Sequence, residues 1–147
     1  MSNDYDLIQF NLGLLRYPRA AKQLDSYVET MDKVMPVALD WPGFLWIMDD
    51  TIVDLTAERF GPKYASNLSG WKDLESLNAF MVCPIHAAAM NRRDEWFTPL
   101  EEATVVLWWE PAGSRPSFDE ACRRLDRLRE NGPTAEAFDF DTPFKPE

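Results

Sequence analysis

The stretch PIHAAAMNRRDEWF, residues 84–97, carries the one histidine of the chain, His86, together with two arginines and a tryptophan. An imidazole titrates near neutral pH, so it can act as a base, an acid or a ligand. Helical spacing places His86 on one face with Met90 and Arg93. We therefore predict that His86 is catalytic and transfers a proton or hydrogen-bonds a substrate. The alternative is a structural histidine whose ring is satisfied by a backbone carbonyl where Pro84 interrupts the helix.

Arg92 precedes Trp96 by one helical turn in the same stretch. A guanidinium beside an indole can hold a carboxylate or an enolate through two hydrogen bonds. One of Arg92 and Arg93 is expected to lie beside Trp96, and Arg92 and Trp96 are predicted to bind substrate. The alternative is that the arginines form ion pairs with the acidic residues nearby, which are Asp94, Glu95, Glu101 and Glu102.

Three amide side chains fall on predicted strands: Gln9 and Asn11 on the first, and Asn67 on the third. Side chains alternate between the faces of a strand, so the amides of each strand share one face. Amides facing an apolar pocket can orient a phenol or a quinone carbonyl, or stabilise an oxyanion. We predict that Asn11 and Asn67 are catalytic and that Gln9 binds substrate. The alternative is that the amides lie at a wet rim between two subunits.

Tryptophans on the same strands are predicted to wall the pocket. They are Trp46, Trp71 and Trp108. Strand alternation allows only one of Trp108 and Trp109 to face a cavity, and the sequence alone leaves open which one does.

Several kinds of chemistry have no motif in the sequence. It lacks a glycine-rich phosphate loop and the patterns G-x-S-x-G, C-x-x-C and H-E-x-x-H. With a single histidine and no carboxylate cluster at ligand spacing, no metal site and no cofactor are expected.

The charge balance restricts the partners. A formal net charge of -10 disfavours nucleic acid and anionic membrane surfaces. The start MSNDYDLIQF lacks the basic and apolar regions of a signal peptide, and no apolar run approaches the roughly 20 residues of a membrane helix. Cys83 and Cys122 are expected to be buried thiols in a reducing cytoplasm.

The elements that must position these residues follow the order strand, helix, strand, strand, helix, strand, and then an added helix, within one domain spanning 1–147. The predicted strands are Tyr5–Arg16, Phe44–Asp50, Tyr64–Trp71 and Ala103–Pro111. The predicted helical segments are Ala20–Met35, one capped by Asp73 that is interrupted at Pro84, its continuation through Phe97, and one that begins at Ser117. Ser117 and Glu120 form a capping box at the start of the last helix. The segment Thr51–Pro62 is ambiguous and is expected to be a wide hairpin loop.

This order is that of the ferredoxin-like βαββαβ fold, an α+β architecture with an antiparallel sheet and two helices on one face. The other face, which carries large residues such as Trp46, is expected to lack a cover. Two sheets packed by two-fold symmetry would bury it, which predicts a homodimer, a dimeric α/β barrel with a small-molecule cavity. The tail with Phe138, Phe140 and Phe144 is expected to pack on the body or on a second subunit.

The segments GFLWIMDD, SGWKDLESLNAFMVCPIHAAAMNRRDEWFTPL and LWWEPAGSRPSFDEACRRLDRLRENGPTAEAFDF resemble a bacterial family, DUF3291, over nearly the whole chain. That resemblance implies the dimeric α/β-barrel superfamily, which includes antibiotic-biosynthesis monooxygenases and haem enzymes. The order of Trp71, a helix, Pro84 and His86 is similar to the monooxygenase pattern. In haem-degrading relatives the ligand histidine falls near Met90 of this chain, which weighs against haem degradation.

The leading hypothesis is a small-molecule enzyme with a cofactor-independent monooxygenase-like or isomerase-like activity on an aromatic or polyketide-like substrate. One alternative is a haem-binding barrel with His86 as the ligand. The other is a non-catalytic dimer that binds a hydrophobic ligand.

Overall fold

A computed structural model describes residues 4–146, so residues 1–3 and 147 of the predicted domain lie outside the described part. The strands are β1 (Tyr5–Leu15), β2 (Phe44–Ile47), β3 (Tyr64–Trp71), β4 (Phe97–Thr98) and β5 (Val105–Pro111). The helices are α1 (Asp25–Leu39), α2 (Thr51–Phe60), α3 (Leu74–Val82), α4 (Pro84–Asn91), α5 (Arg93–Trp96) and α6 (Phe118–Asn131).

The sheet is antiparallel, with β1 at its centre. β1 pairs with β3 on one side and with β5 on the other, β2 extends the sheet beyond β3, and the short β4 pairs with the end of β1. The order β2–β3–β1–β5 is that of the ferredoxin-like fold. The predicted α+β class, the βαββαβ core and the extra C-terminal helix are therefore confirmed.

Alternation along β1 divides the core into two parts. Leu7, Gln9 and Asn11 face one side of the sheet, and Ile8 and Phe10 face the other. The first side is covered by α1, α3 and α4, which contribute buried residues to one hydrophobic cluster. These crossover helices lie on one face of the sheet, as predicted, and the space beneath them is where a ligand site can form.

The second side of the sheet is also covered, so the expectation of an uncovered face is wrong. α2 and α6 pack there, burying Ile52 from α2 and Leu125 from α6 against Ile8 and Phe10. The segment expected to be a hairpin loop is this helix α2. With that face buried inside one chain, the physical reason for predicting a homodimer no longer holds.

The break at Pro84 is present as predicted. Cys83 has extended backbone angles, φ -65° and ψ 153°, and α4 begins at Pro84. Proline suits the first helical position because its missing amide hydrogen has no partner there anyway. The chain therefore turns between α3 and α4 rather than continuing as one helix.

The C-terminal arm packs on the body of its own chain, which is one of the two predicted alternatives. Phe138 is fully buried, and its backbone exchanges two hydrogen bonds with Leu107 of β5, at 2.7 and 2.8 Å. The indole nitrogen of Trp109 donates to the carbonyl of Phe144 at 2.8 Å.

Within residues 4–146, every helix is too short or too polar to cross a bilayer.

Candidate functional site

A cavity of about 370 Å³ lies between the sheet and helices α1, α4 and α5. We call it the outer lobe. A smaller space of about 120 Å³, the inner lobe, lies beside it, between the sheet and helices α1 and α3. The two lobes share the residues at their junction, which include Gln9, Asn11, Asn67 and His86. The structure therefore brings the predicted histidine and all three predicted amides to one place.

The amides at the junction form one hydrogen-bonded network across β1 and β3. Asn11 lies directly opposite Asn67, and Gln9 lies opposite Ser69. Asn11 Nδ2 donates to Gln9 Oε1 at 2.6 Å and to Asn67 Oδ1 at 3.0 Å. Gln9 Nε2 donates to Asn67 Oδ1 and to Ser69 Oγ, each at 3.0 Å. Trp71 Nε1 also donates to Ser69 Oγ, at 3.0 Å, which anchors the network to the wall of the inner lobe.

This network leaves specific polar atoms for a ligand. Gln9 uses both amide hydrogens and its oxygen, and Asn67 Oδ1 already accepts two bonds. Within residues 4–146, Asn67 Nδ2 and Asn11 Oδ1 make no side-chain hydrogen bond. An amide with two donors and one with a free acceptor can hold a carbonyl or enolate oxygen beside a hydroxyl group.

His86 makes the backbone contact expected of a structural histidine and also lines both lobes. Its Nδ1 lies 3.1 Å from the carbonyl oxygen of Met81, which is in the last turn of α3 and loses helical donors at the break before Pro84. A carbonyl only accepts, so Nδ1 carries the hydrogen and Nε2 of the neutral ring is an acceptor. The ring packs on Phe80, with centroids 4.9 Å apart.

Burial lowers the pKa of His86 below its usual value, and the hydrogen bond to Met81 offsets part of that effect. The neutral form is therefore favoured at physiological pH. His86 lines the cavity, and within residues 4–146 its ring makes a hydrogen bond only through Nδ1. A neutral imidazole placed in this way is suited to act as a general base through Nε2.

Two of the predicted tryptophans wall the cavity. Trp71 lines the inner lobe and Trp96 lines the outer lobe. Trp96 is 2% exposed and donates from Nε1 to Ser26 Oγ at 3.0 Å.

Two of the predicted tryptophans do not line the cavity, and neither does Arg92. Trp46 and Trp108 belong to the cluster on the opposite side of the sheet, under α2 and α6. Trp46 is there because β2 carries a bulge between Phe44 and Trp46, which changes the face of its side chain. Trp108 pairs with Ile8, which faces that same side. Trp109 is the member of the pair on the cavity side of the sheet, but it is covered by the C-terminal arm.

Arg92 takes the alternative role considered for it. Its guanidinium makes two hydrogen bonds of 3.0 Å to the carboxylate of Glu95 and lies over the ring of Trp96, 5.0 Å from its centroid. The pair is exposed to solvent, so Arg92 does not reach into the cavity. Arg93 lines the outer lobe in its place.

Other lining residues were not predicted as site residues. Tyr27 from α1 lines the outer lobe and packs on Trp96, with centroids 5.4 Å apart, and burial raises the pKa of its hydroxyl. Ser69 belongs to the network, and its place on the same strand face as Asn67 was the available signal. Phe140 of the arm also lines the outer lobe, but a tail residue gives no sequence signal for such a position.

Within the described part of the chain, no group of three or more histidine, cysteine, aspartate or glutamate side chains is placed to hold a metal ion.

The chain was compared with protein-family models and with curated proteins. The family model described as "Domain of unknown function (DUF3291)" matches residues 6–147. No curated protein matches the chain.

Several solved structures share the fold. A conserved protein from Methanosarcina mazei Go1 is 9% identical, with a TM-score of 0.52 over 74% of this chain and 94% of its own. A protein from Shewanella oneidensis is 7% identical, with a TM-score of 0.51 over 74% of this chain and 93% of its own. SnoaB, a cofactor-independent oxygenase from Streptomyces nogalater, is 11% identical, with a TM-score of 0.46 over 78% of this chain and 97% of its own. At these identities the likeness concerns the fold alone, and the likeness to SnoaB carries no weight.

Proposed function

This chain belongs to the DUF3291 family of unknown function, and from that premise we propose that it is a small-molecule enzyme with a cofactor-independent monooxygenase-like or isomerase-like activity. Its substrate is an aromatic or polyketide-like compound that has an acidic proton on an oxygen or next to a carbonyl. The observation that carries the proposal is the meeting of His86 with Gln9, Asn11 and Asn67 at the junction of the two lobes.

His86 acts as the general base. Its Nδ1 is held by the Met81 carbonyl, so Nε2 is the atom that takes the substrate proton. A positively charged imidazolium then forms, and the same hydrogen bond to Met81 strengthens as Nδ1–H becomes more acidic.

Asn67 and Asn11 stabilise the charge that remains on the substrate. Proton removal leaves an electron pair that delocalises onto a substrate oxygen, and the free donors of Asn67 Nδ2 are suited to bind that oxygen. Asn11 Oδ1 accepts from a neighbouring hydroxyl group. Because the network fixes both amides before the substrate binds, little reorganisation is needed during the reaction.

The fate of the anion separates the two reaction types. In an isomerisation, His86 returns the proton to a different carbon atom. In an oxygenation, the co-substrate is dioxygen, and it adds to the anionic carbon, which must carry a second hydrogen. The peroxide formed takes the proton back from His86, and loss of water from the hydroperoxide with that second hydrogen leaves a new carbonyl group. The substrate therefore supplies all four electrons that reduce dioxygen.

A turnover assay with matched variants tests the proposal. Hydroxyaromatic and enol compounds would be incubated with the protein in air and under nitrogen, with oxygen uptake and product followed together. His86→Asn places an amide nitrogen where Nδ1 was and nothing where Nε2 was, so we expect the fold to be kept and kcat to fall by about 100-fold or more. His86→Gln also lacks a basic nitrogen and in addition loses the contact to Met81, so we expect kcat to fall as far as in His86→Asn and the free energy of unfolding to fall further. Turnover that is unchanged in His86→Asn would contradict the proposal.

The two alternative functions, a haem-binding barrel and a non-catalytic ligand-binding protein, predict different results. A Soret absorbance band that depends on His86 would favour the haem-binding hypothesis. Saturable ligand binding without any turnover would favour the non-catalytic hypothesis.

The oligomeric state and the cellular location are separate parts of the proposal. The proposal does not depend on the predicted homodimer, because the expectation of a dimer came from a sheet face that α2 and α6 cover. A reducing cytoplasm stays our proposal for the location, supported by the free, buried thiols of Cys83 and Cys122.

A further inference from the structure

The inner lobe has a different character from the outer lobe. Its far wall is a cluster of aromatic rings in which Trp71 contacts Phe44 and Phe80, with centroids 5.4 and 5.5 Å apart. The remaining wall is mostly aliphatic and comes from α1 and α3, including the buried residues Ala38 and Leu77. The inner lobe is therefore an apolar chamber beneath these two helices.

The size of the inner lobe limits what it can hold. An apolar cavity of about 150 Å³ binds a single benzene molecule. The inner lobe, at about 120 Å³, is slightly smaller. This volume is on the scale of one six-membered ring and well below that of two fused rings.

Among residues 4–146, the polar side chains of the inner lobe lie at its junction with the outer lobe, apart from the hydroxyl group of Ser69 and the indole nitrogen of Trp71. Ser69 Oγ, which lines the inner lobe, already accepts bonds from Gln9 and Trp71. The atoms left for a ligand belong to Asn11, Asn67 and His86, which line both lobes. No aspartate, glutamate, lysine or arginine lines the inner lobe among residues 4–146, whereas Arg93 and Asp94 line the outer lobe.

We propose that the inner lobe binds one neutral, apolar ring of the substrate, and that the oxygen carried by this ring meets Asn11, Asn67 and His86 at the junction. Any further part of the substrate extends into the outer lobe. The substrate class is therefore a phenol or cyclic enol whose reacting ring is terminal, rather than the central ring of a fused system. The identification of the junction as the reacting centre rests on the proposed function, and the placement of the ring does not.

Two matched substitutions test the placement. Ala38 lines only the inner lobe and Ala89 only the outer lobe, and both are buried on helices, at 7% and 6% exposure. Changing either one to leucine adds the same volume to a different lobe. The affinities of phenol and 1-naphthol for the full chain would be measured by isothermal titration calorimetry.

For phenol, we expect Ala38→Leu to weaken binding tenfold or more and Ala89→Leu to change it less than threefold. For 1-naphthol, whose second ring must lie in the outer lobe, we expect both substitutions to weaken binding. Equal effects of the two variants on phenol, or no effect of Ala38→Leu, would overturn the proposal. So would the absence of saturable phenol binding to the unmodified chain.

A second measurement decides the matter if Ala38→Leu does not fold. Nuclear Overhauser effects from the ring protons of phenol are expected to the methyl groups of Val34 and Leu77, which line only the inner lobe. Effects to Leu100, which lines only the outer lobe, without effects to Val34 and Leu77 would overturn the proposal. Both measurements follow equilibrium binding, so their failure is distinct from the absence of turnover that would contradict the proposed function.

Discussion

At the scale of single residues, His86 carries two roles through its two ring nitrogens. Nδ1 supplies a donor that the Pro84 break removes from the end of α3, and Nε2 is left for the cavity. The structural contact also determines which nitrogen is free, because a carbonyl partner requires a hydrogen on Nδ1. A structural role for this histidine therefore prepares it for chemistry.

The pKa of His86 is the first prediction at this scale. Burial favours the neutral ring, so the pKa in the folded chain should lie below the usual value of 6.5. The unfolded chain then takes up the proton first on acidification. The free energy of unfolding should therefore be fully retained above about pH 6.5 and fall as the pH drops from there to the folded pKa.

A proton NMR titration checks this prediction directly, because the chain contains a single histidine. A midpoint at or above 6.5 would contradict the burial argument. His86→Asn serves as the control, since it should remove this part of the pH dependence of stability.

Part of the site was accessible from the sequence and part was not. Alternation within one strand is enough to place Gln9 with Asn11, and their partner Asn67 follows from the strand order. The faces of Trp46 and Trp108 depend on a bulge and on the register between β1 and β5, which the residues alone do not specify. Strand alternation is therefore enough to bring the three amides to one face, whereas it does not determine the face of either tryptophan.

At the scale of elements, α2 is the largest difference from the sequence-based expectation. Ile52, Leu55, Thr56 and Phe60 recur at helical spacing and pack towards the second side of the sheet. This helical spacing was present in the sequence, but the segment was expected to be a wide hairpin loop between β2 and β3. The capping box of α6, in contrast, was visible in the sequence and is present, with Glu120 N donating to Ser117 Oγ at 3.1 Å.

Gly70 on β3 gives a prediction at this scale. A side chain at this position would overlap the indole of Trp46, which packs directly on the glycine. Gly70→Ala should therefore destabilise the chain by about 1–3 kcal/mol, as overpacking of a dense core does.

Chemical denaturation of Gly70→Ala, Trp46→Phe and the double variant measures this coupling. The smaller ring of Trp46→Phe should reduce the cost of the added methyl group. Additive effects of the two substitutions would show that the indole is not the reason for the glycine.

At the scale of the whole molecule, both sides of the sheet are covered by helices of the same chain. Burial of the second side under α2 and α6 replaces the burial that a second subunit was expected to supply. The fold order was predictable because each strand and helix has a local pattern. The burial of the second side of the sheet was not predictable, because it depends on where α2 and α6 lie relative to the sheet.

The packing of α2 and α6 on the second side of the sheet leads to a prediction for the native mass. With the second side of the sheet buried, we expect the purified protein to have the mass of one chain at micromolar concentration. Sedimentation velocity measures this mass. A stable dimer would show that the chain associates through some other surface.

The C-terminal arm gives a further prediction for the whole molecule. Phe138 is fully buried, and its backbone joins the arm to β5. Phe140 of the same arm lines the outer lobe. Phe138→Ala should lower the free energy of unfolding by about 3–5 kcal/mol. Phe144→Ala, at a less buried position of the same arm, is the control and should cost less.

The central claim is that the junction of the two lobes binds the reacting oxygen of a small hydroxylated ring. The most direct measurement is a ¹⁵N NMR titration of the protein with 1-naphthol, following the side-chain amide signals. We expect the NH₂ signals of Asn67 to shift in a saturable manner, while those of the exposed residues Asn78 and Asn91 stay in place. Saturable binding that leaves the Asn67 signals unchanged, or no binding at all, would contradict the account.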